Sequence, residues 1–318
     1  MRRSAIEVAG TGFTVLDRIY TDDRTSFEAL GGSCGNVLIS LALLNRRVAP
    51  VLSLGFDAAG DTLFTELEDA GVDLQYIFRS HHIASPILAQ LVDTVLGQHR
   101  FSFVCPDTDE DLPGFTSIEE LEVHQAADAL NDCSVFYTDR LSGAIVDAMG
   151  IAHNAGALVY FEPSLIEDIG LFHQALHHTS VLKYSSERFP QSIGEEHLQE
   201  GAISIITHGA AGLEIRQNGQ HFQCNATPAP TVRDTSGSGD MVSIGIIDRL
   251  LSLGRGAQSL QSIENIIVGV TAGQRLAAAN CAFTGARGLF RHCGAETARA
   301  ILQGENPTLN DEAERSLF

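Results

Sequence analysis

Apolar residues recur in two different rhythms along this 318-residue chain, and the change between them divides it into two parts. Residues 6–12 form a short continuous apolar run, as a buried strand does, and 13–20 alternate like a second strand. After the glycine pair Gly31-Gly32, residues from about Cys34 to Leu44 are apolar around most of a helical circumference, which predicts a buried helix. Residues 48–55 read as another buried strand. Residues 56–61 then turn into a helix over 62–70, closed by Gly71. Residues 76–104 alternate with little helical period, and Val95-Leu-Gly-Gln lies between two alternating runs, so a hairpin is expected there. Together with 13–20 it would make a small sheet standing off the main body.

Beyond the acidic loop at 106–114 the rhythm changes. Strands are predicted at 135–138, 157–161, 181–183 and 203–207, separated by helices near 118–130, 142–155, 165–177 and 190–200. Strands alternating with helices are the sequence form of βαβ units around a parallel sheet. Residues 213–216 and 221–224 suggest a hairpin. Val242, Ile246, Leu250 and Leu253 recur at helical spacing, and 263–281 form a long alanine-rich helix. The residues from Gly304 onward are acidic and polar, which predicts a loosely ordered tail. There are no internal repeats and no long linker. The reading is one α/β domain over 1–318, with a small sheet from about 13–30 and 76–105.

Composition narrows the function classes. Forty acidic against twenty basic residues give a net charge of −20, the wrong field for a protein that binds nucleic acid or an anionic membrane. The six cysteines are scattered without metal-ligand spacing, as in a reduced cytoplasmic protein, and no apolar run approaches a membrane span. The N-terminal residues lack the apolar core of a secretion signal. The only lysine, Lys183, is followed by Tyr184, so no Walker A loop exists; Gly10-Thr-Gly12 lacks the third glycine of a dinucleotide fingerprint.

The chemistry concentrates at 234–240, Asp-Thr-Ser-Gly-Ser-Gly-Asp, directly before the helix that starts near Ser238. Small residues let the backbone approach a ligand, and first-turn N–H groups have no helical partner, so this is an anion site. Asp240 would repel a bound phosphate unless it does something there. A carboxylate beside phosphate is explained by a general base that takes the proton of the attacking group. The competing reading is an ordinary helix start. Asp17 sits inside an apolar stretch, either as a strand-edge carboxylate or as a ligand, and Asn36 in a first helical turn is either a cap or a contact. Thr207-His-Gly209-Ala-Ala-Gly212 turns tightly at the carboxyl end of a strand, where α/β active sites collect.

These pieces, in this order, resemble the ribokinase-like (PfkB) carbohydrate kinase family. Asp234, Thr235, Gly237, Gly239 and Asp240 match its Asp-Thr-x-Gly-Ala-Gly-Asp signature, with Ser238 in place of alanine. Gly31-Gly32 with Asn36, Asp17, Gly55-x-Asp57-x-x-Gly60 and Thr207-x-Gly209-x-x-Gly212 agree with further family patterns. The resemblance implies a three-layer α/β/α fold with a mostly parallel central sheet and a small β-sheet lid. It implies transfer of the γ-phosphate of ATP, with Mg2+, to a hydroxymethyl group of a sugar. Asp240 would be the base, and the N–H groups of Gly237, Ser238 and Gly239 the anion hole. Asp17 and Asn36 would bind the sugar, with Gly31 and Gly32 letting the lid close. Thr207, Gly209 and Gly212 would line the nucleotide site, with Asn280 near the adenine. Asp234 and Ser236 would be the candidates for a monovalent cation such as K+, and the lid would suit homodimerisation. The sequence departs from the family's Asn-x-x-Glu metal pattern at Leu182-Lys-Tyr-Ser-Ser-Glu-Arg188: Glu187 keeps the acid only if Tyr184 replaces the asparagine, and in the other register Arg188 takes its place. Phe161-Glu-Pro-Ser164 likewise stands where Asp-Pro-Asn is common. A nucleoside kinase of the same fold and a non-catalytic sugar- or nucleotide-binding homologue are the alternatives.

Overall fold

A right-to-left count across the main sheet reverses direction once, and that reversal places the functional cleft. The computed structural model describes residues 6–21, 24–93, 98–189, 193–254 and 262–309. Its eight-stranded sheet contains Val8–Thr11 (β1), Val48–Pro50 (β4), Val135–Thr138 (β9), Leu158–Phe161 (β10), Val181–Ser185 (β11), Ile203–Thr207 (β12), Leu213–Gln217 (β13) and Gln220–Cys224 (β14). The order is β14-β13-β12-β11-β10-β9-β1-β4; the last two hairpin strands are antiparallel and the rest parallel. The chain leaves β1 toward β4 on one side and resumes at β9 on the other. The crevice at their carboxyl ends is the switch point where such sheets bind ligands.

Helices cover both faces. Ser33–Leu43 (α1), Ala58–Asp69 (α2), Ser238–Ser252 (α7), Ile263–Asn280 (α8) and Gly288–Leu302 (α9) supply most of the helical side chains of one core. Glu120–Gln125 (α3), Ala127–Asp132 (α4), Gly143–Asn154 (α5) and Ile169–His178 (α6) pack against the opposite face. Leu38, Ile244, Ile246 and Ile247 on the first face and Phe136, Val159 and Phe172 on the second are fully buried. Each such side chain contributes about 1.5–3 kcal/mol relative to exposure.

The expected small sheet exists: Arg24–Gly31 (β3), Val15–Thr21 (β2), Ile87–Asp93 (β7) and Gln98–Ser102 (β8), in that order. The β7–β8 pair is antiparallel as expected, and its turn at 94–97 lies outside the described residues. The lid does not begin at 76, however. Residues Ile77–Ser80 (β6) pair with Leu52–Gly55 (β5) in a separate two-stranded sheet. The run 48–55 is therefore two strands and not one: Pro50 has no N–H to continue a ladder, and Val51 donates to Gly10 O (2.8 Å) as the chain leaves the main sheet.

Three further readings change. The helix expected over 118–130 is two short ones meeting at Ala126. Within 190–200 the described part holds only a 3₁₀ turn, Glu195–His197; Gly194 before it has φ 61°, which a continuing helix does not accept. Helix α9 went unread because Gly294, at φ 78°, breaks its apolar period in the middle.

The Gly55-x-Asp57-x-x-Gly60 pattern acquires a mechanical role. Asp57 caps α2 by accepting from Gly60 N (2.7 Å) and with its other oxygen accepts from Ser85 N (2.8 Å), while Gly55 N donates to Ser85 Oγ (2.9 Å). Ser85 stands two residues before β7, so this knot fixes where the chain enters the lid.

Candidate active site

Helix α7 begins at the bottom of the cleft, and its first turn carries the motif. Gly237 caps it in the left-handed region (φ 72°), and a Cβ there would come within 2.6 Å of Ala286 O, so only glycine closes this turn. Of the three expected backbone donors, Ser238 N–H is spent on Thr235 O (3.2 Å). The N–H groups of Gly237 and Gly239 have no protein hydrogen bond among the described residues, and they are the donors that remain for an anion.

Asp240 is buried, and its Oδ2 accepts from Asn36 Nδ2 (2.8 Å), a contact spanning 204 residues of sequence. Burial, reinforced by the nearby Glu162 charge, pushes its carboxyl up to about 6, against which the Asn36 bond and Lys183 act. A carboxylate in that range is ionised at neutral pH and still a competent proton acceptor. Asn36 is in the first turn of α1, where Gly32 at φ 78° provides the cap.

Asp17 reaches the same cavity from β2. Gly31 makes the space: a Cβ there would lie 1.8 Å from Asp17 Oδ2. Burial pushes the Asp17 carboxyl up to about 8, although Arg287 pulls the other way. Asp17 Oδ1, Asn36 Oδ1 and Thr14 Oγ1 are all buried without a hydrogen-bond partner. Unsatisfied buried acceptors are rare and costly, and the two beside Asp240, on Asp17 and Asn36, call for a ligand that brings O–H donors.

The sequence reading missed several residues here. Asp139, one residue beyond β9, is 1% exposed; it accepts from Phe13 N (2.8 Å), and burial pushes it up to about 6. Arg140 pairs with Asp139 (3.1 Å) and lies over the Phe13 ring at 4.3 Å. On the other side, Glu162 at the end of β10 is bound by Lys183 of β11, by Ser243 Oγ (2.6 Å) and by Tyr137 Oη (3.2 Å). Lys183 is 2% exposed, and its Nζ lies 3.5 Å from where a Cβ on Gly239 would be, beneath the first turn of α7. The position of Asp139, Glu162 and Lys183 at or near carboxyl ends of parallel strands was the available signal.

The turn expected at 207–212 is formed. Thr207 ends β12, Gly209 starts a 3₁₀ turn, and Gly212 (φ 97°) lets His208 N bond back to Gly212 O (2.8 Å). Glu187 is exposed beside it, its Oε1 3.8 Å from a Cβ placed on Gly209. Asn280 does not face this region. It is fully buried, accepts from Leu289 N (2.9 Å) and donates to Ser236 O and Gly285 O (both 3.4 Å), so it braces the motif loop and has no atom to offer an adenine. Among the described residues no group of three or more His, Cys, Asp or Glu could hold a metal ion, and no helix is long and apolar enough to cross a membrane.

A switch-point cleft, a glycine-rich helix start and a buried aspartate under a β lid define a ribokinase-type phosphotransferase with a hydroxyl acceptor. The pfkB family carbohydrate kinase signature matches residues 23–287, and the chain belongs to that family. It is 23% identical to a fructokinase of Vibrio alginolyticus over 258 residues, covering 74% of this chain and 81% of that one. It is 26% identical to an aminoimidazole riboside kinase of Salmonella typhimurium over 264 residues, covering 74% and 78%. Its fold is that of an ATP-bound fructokinase from Xylella fastidiosa (TM-score 0.74, 18% identity, 94% of this chain and 98% of that one). The Arabidopsis thaliana ribokinase complexed with ribose and ATP is similar to the same degree (TM-score 0.73, 15% identity, 94% and 99%).

Proposed function

We propose that this protein transfers the γ-phosphate of ATP to a hydroxymethyl group of a neutral carbohydrate. The observation that carries the reading is the pair of unpartnered acceptors beside Asp240: Asp17 Oδ1 and Asn36 Oδ1 want the hydroxyl hydrogens of a polyol. An anionic substrate would meet the ionised Asp240 and Asp139, while Arg140 and Arg287 face the carboxylates of Asp139 and Glu66.

In this reading the sugar hydroxyls dock on Asp17 and Asn36, with Gly31 and Gly32 allowing the lid to seat above them. Asp240, oriented by Asn36, accepts the proton of the attacking hydroxyl. The N–H groups of Gly237 and Gly239 and the Lys183 ammonium stabilise charge on the transferring phosphoryl group; each hole donor is worth about 3–4 kcal/mol. Thr207, Gly209 and Gly212 shape the nucleotide side. Mg2+ needs few protein ligands when phosphates supply the rest; Glu187, exposed beside Gly209, would be the carboxylate that holds it, and the ion would neutralise phosphate charge. The six free thiols agree with a cytoplasmic enzyme. The exposed Phe101, Phe103 and Val104 on or beside the outer lid strand agree with a dimer through the lid.

The test is ATP consumption against a panel of neutral hexoses, pentoses and nucleosides. Acceptor-dependent turnover with a free sugar is expected. Preference for a nucleoside transfers the reading to nucleoside kinase, and ligand binding without turnover to a non-catalytic homologue.

Asp17 also links pH to stability. Its folded-state value of about 8 lies above the ordinary 3.8, so the folded state holds the proton more tightly than the unfolded chain. The resulting stability is fully present below about 3.8 and is lost as pH rises from there through about 8. Asp17→Asn should therefore melt at about the same temperature as the parent at pH 4 and clearly higher at pH 9, while sugar binding is lost. Thermal melts at both pH values check this; equal differences at the two ends would show that Asp17 is not buried against its charge.

A further inference from the structure

We propose that Asp234 anchors the closed lid to the anion-hole loop through Gln90 and His99, and that this linkage does the work a monovalent cation would do at that carboxylate. The inference rests on the proposed role of the 234–240 loop.

The donor count around Asp234 is the first observation. The residue has no exposed surface. Its Oδ1 accepts from Ser236 N (2.8 Å) and Ser236 Oγ (2.6 Å), and His99 Nδ1 lies 3.1 Å away. Its Oδ2 accepts from Gly285 N (2.8 Å) and Gln90 Nε2 (2.9 Å). A carboxylate has about four lone-pair sites, and here every one faces an N–H or O–H. Ser236 Oγ is equally committed, accepting from Gln90 Nε2 (2.6 Å) while donating to Asp234. These donors hold the Asp234 carboxyl below its usual range despite burial. A potassium ion placed here would face the Gln90 amide hydrogens and the N–H groups of Ser236 and Gly285, with the His99 ring 3.1 Å from Oδ1, so the residues do not fit the ion.

The second observation is where the donor Gln90 and the neighbouring His99 ring come from. Gln90 is in β7 and His99 in β8, so both belong to the lid, 144 and 135 residues away from Asp234 in sequence. Gln90 pairs with Ile19 and Leu88 with Asp17 across the β2–β7 ladder. One rigid sheet thus carries Asp17 to the sugar side and Gln90 to the phosphate side. Asp234 in turn fixes Ser236 N, immediately before Gly237, and Gly285 N, next to the Ala286 against which Gly237 packs. Seating the lid therefore sets the loop that presents the Gly237 and Gly239 donors. Gln90 and His99 are positioning residues acting through Asp234, and the anion hole is complete only under a closed lid.

The experiment uses the intact chain with KCl against choline chloride at equal ionic strength, and the variants Gln90→Leu and His99→Phe. Hydrogen–deuterium exchange and melting need no substrate and so stand apart from the kinase reading. Exchange of the β7 and β8 amides should accelerate about tenfold or more in Gln90→Leu, as expected for losing hydrogen bonds to a carboxylate, with β9–β12 unchanged. KCl should leave the parent's melting temperature unchanged. With an accepted sugar, Gln90→Leu should lower kcat by about tenfold with the KM for ATP little altered. Potassium-dependent stabilisation or activation of the parent would overturn the proposal, as would lid exchange that neither variant moves. Absence of turnover with every acceptor would overturn the function proposed above and leave the exchange and melting results to decide this one.

Discussion

Replacing Asp240 by asparagine should reduce turnover by about 10²-fold or more while leaving sugar and nucleotide binding in place. The asparagine has the same shape and keeps a polar partner for Asn36 Nδ2, now at 2.8 Å from Asp240 Oδ2, so the fold has no reason to fail. What it lacks is a lone pair basic enough to take the hydroxyl proton. The parent's pH profile carries the same information. Burial holds Asp240 at about 6, so kcat/KM should fall as pH drops through that value, because the protonated form cannot act as a base. The acid limb should be absent from the residual activity of Asp240→Asn. Calorimetric titration with each ligand and a rate profile from pH 5 to 8 would settle it, and an asparagine variant with parental turnover removes Asp240 from the mechanism.

The second large effect belongs to Lys183. Methionine at this position fills a similar volume but leaves Glu162 half-buried without its cation, which in comparable buried pairs costs about 3–5 kcal/mol. It also removes the positive charge beneath Gly239, an electrostatic loss of about 10²–10³ in kcat. Glu162 raises the Asp240 carboxyl and Lys183 lowers it. Lys183→Met should therefore move the acid limb of the rate profile above 6, and Glu162→Gln should move it below. Opposite displacements are the signature of two charges acting on one base; a general loss of stability displaces neither limb.

Much of this was legible in the residues. Periodicity was enough for most strands of the parallel sheet, because buried strands carry continuous apolar runs, as at 157–161 and 203–207. It failed where a single residue breaks a run. Pro50 divides 48–55 between two sheets, Gly294 obscures α9, and Gly194 stops the helix expected over 190–200. The motif glycines and Asp240 were readable because a helix N-terminus has its own local chemistry. Asp139, Glu162 and Lys183 were not, since each is an isolated polar residue whose meaning lies in strands brought side by side by the fold. Asn280 shows the reverse error: its place in chain order suggested a ligand contact, whereas its side chain closes backbone bonds between two loops. Asp234 is similar, because nothing local in the sequence indicates that Gln90 and His99 come to meet it.

The solitary lysine has a practical consequence. Because Lys183 is the chain's one lysine and is 2% exposed, an amine-reactive reagent has no competing side chain to modify and no access to this one while the protein is folded. Its rate of acylation, read by mass spectrometry on a single peptide, therefore times the opening of the structure beneath Gly239. Any ligand that binds only the folded state slows that clock in proportion to its occupancy. The chain thus carries a built-in chemical reporter of this region, available without introducing a label.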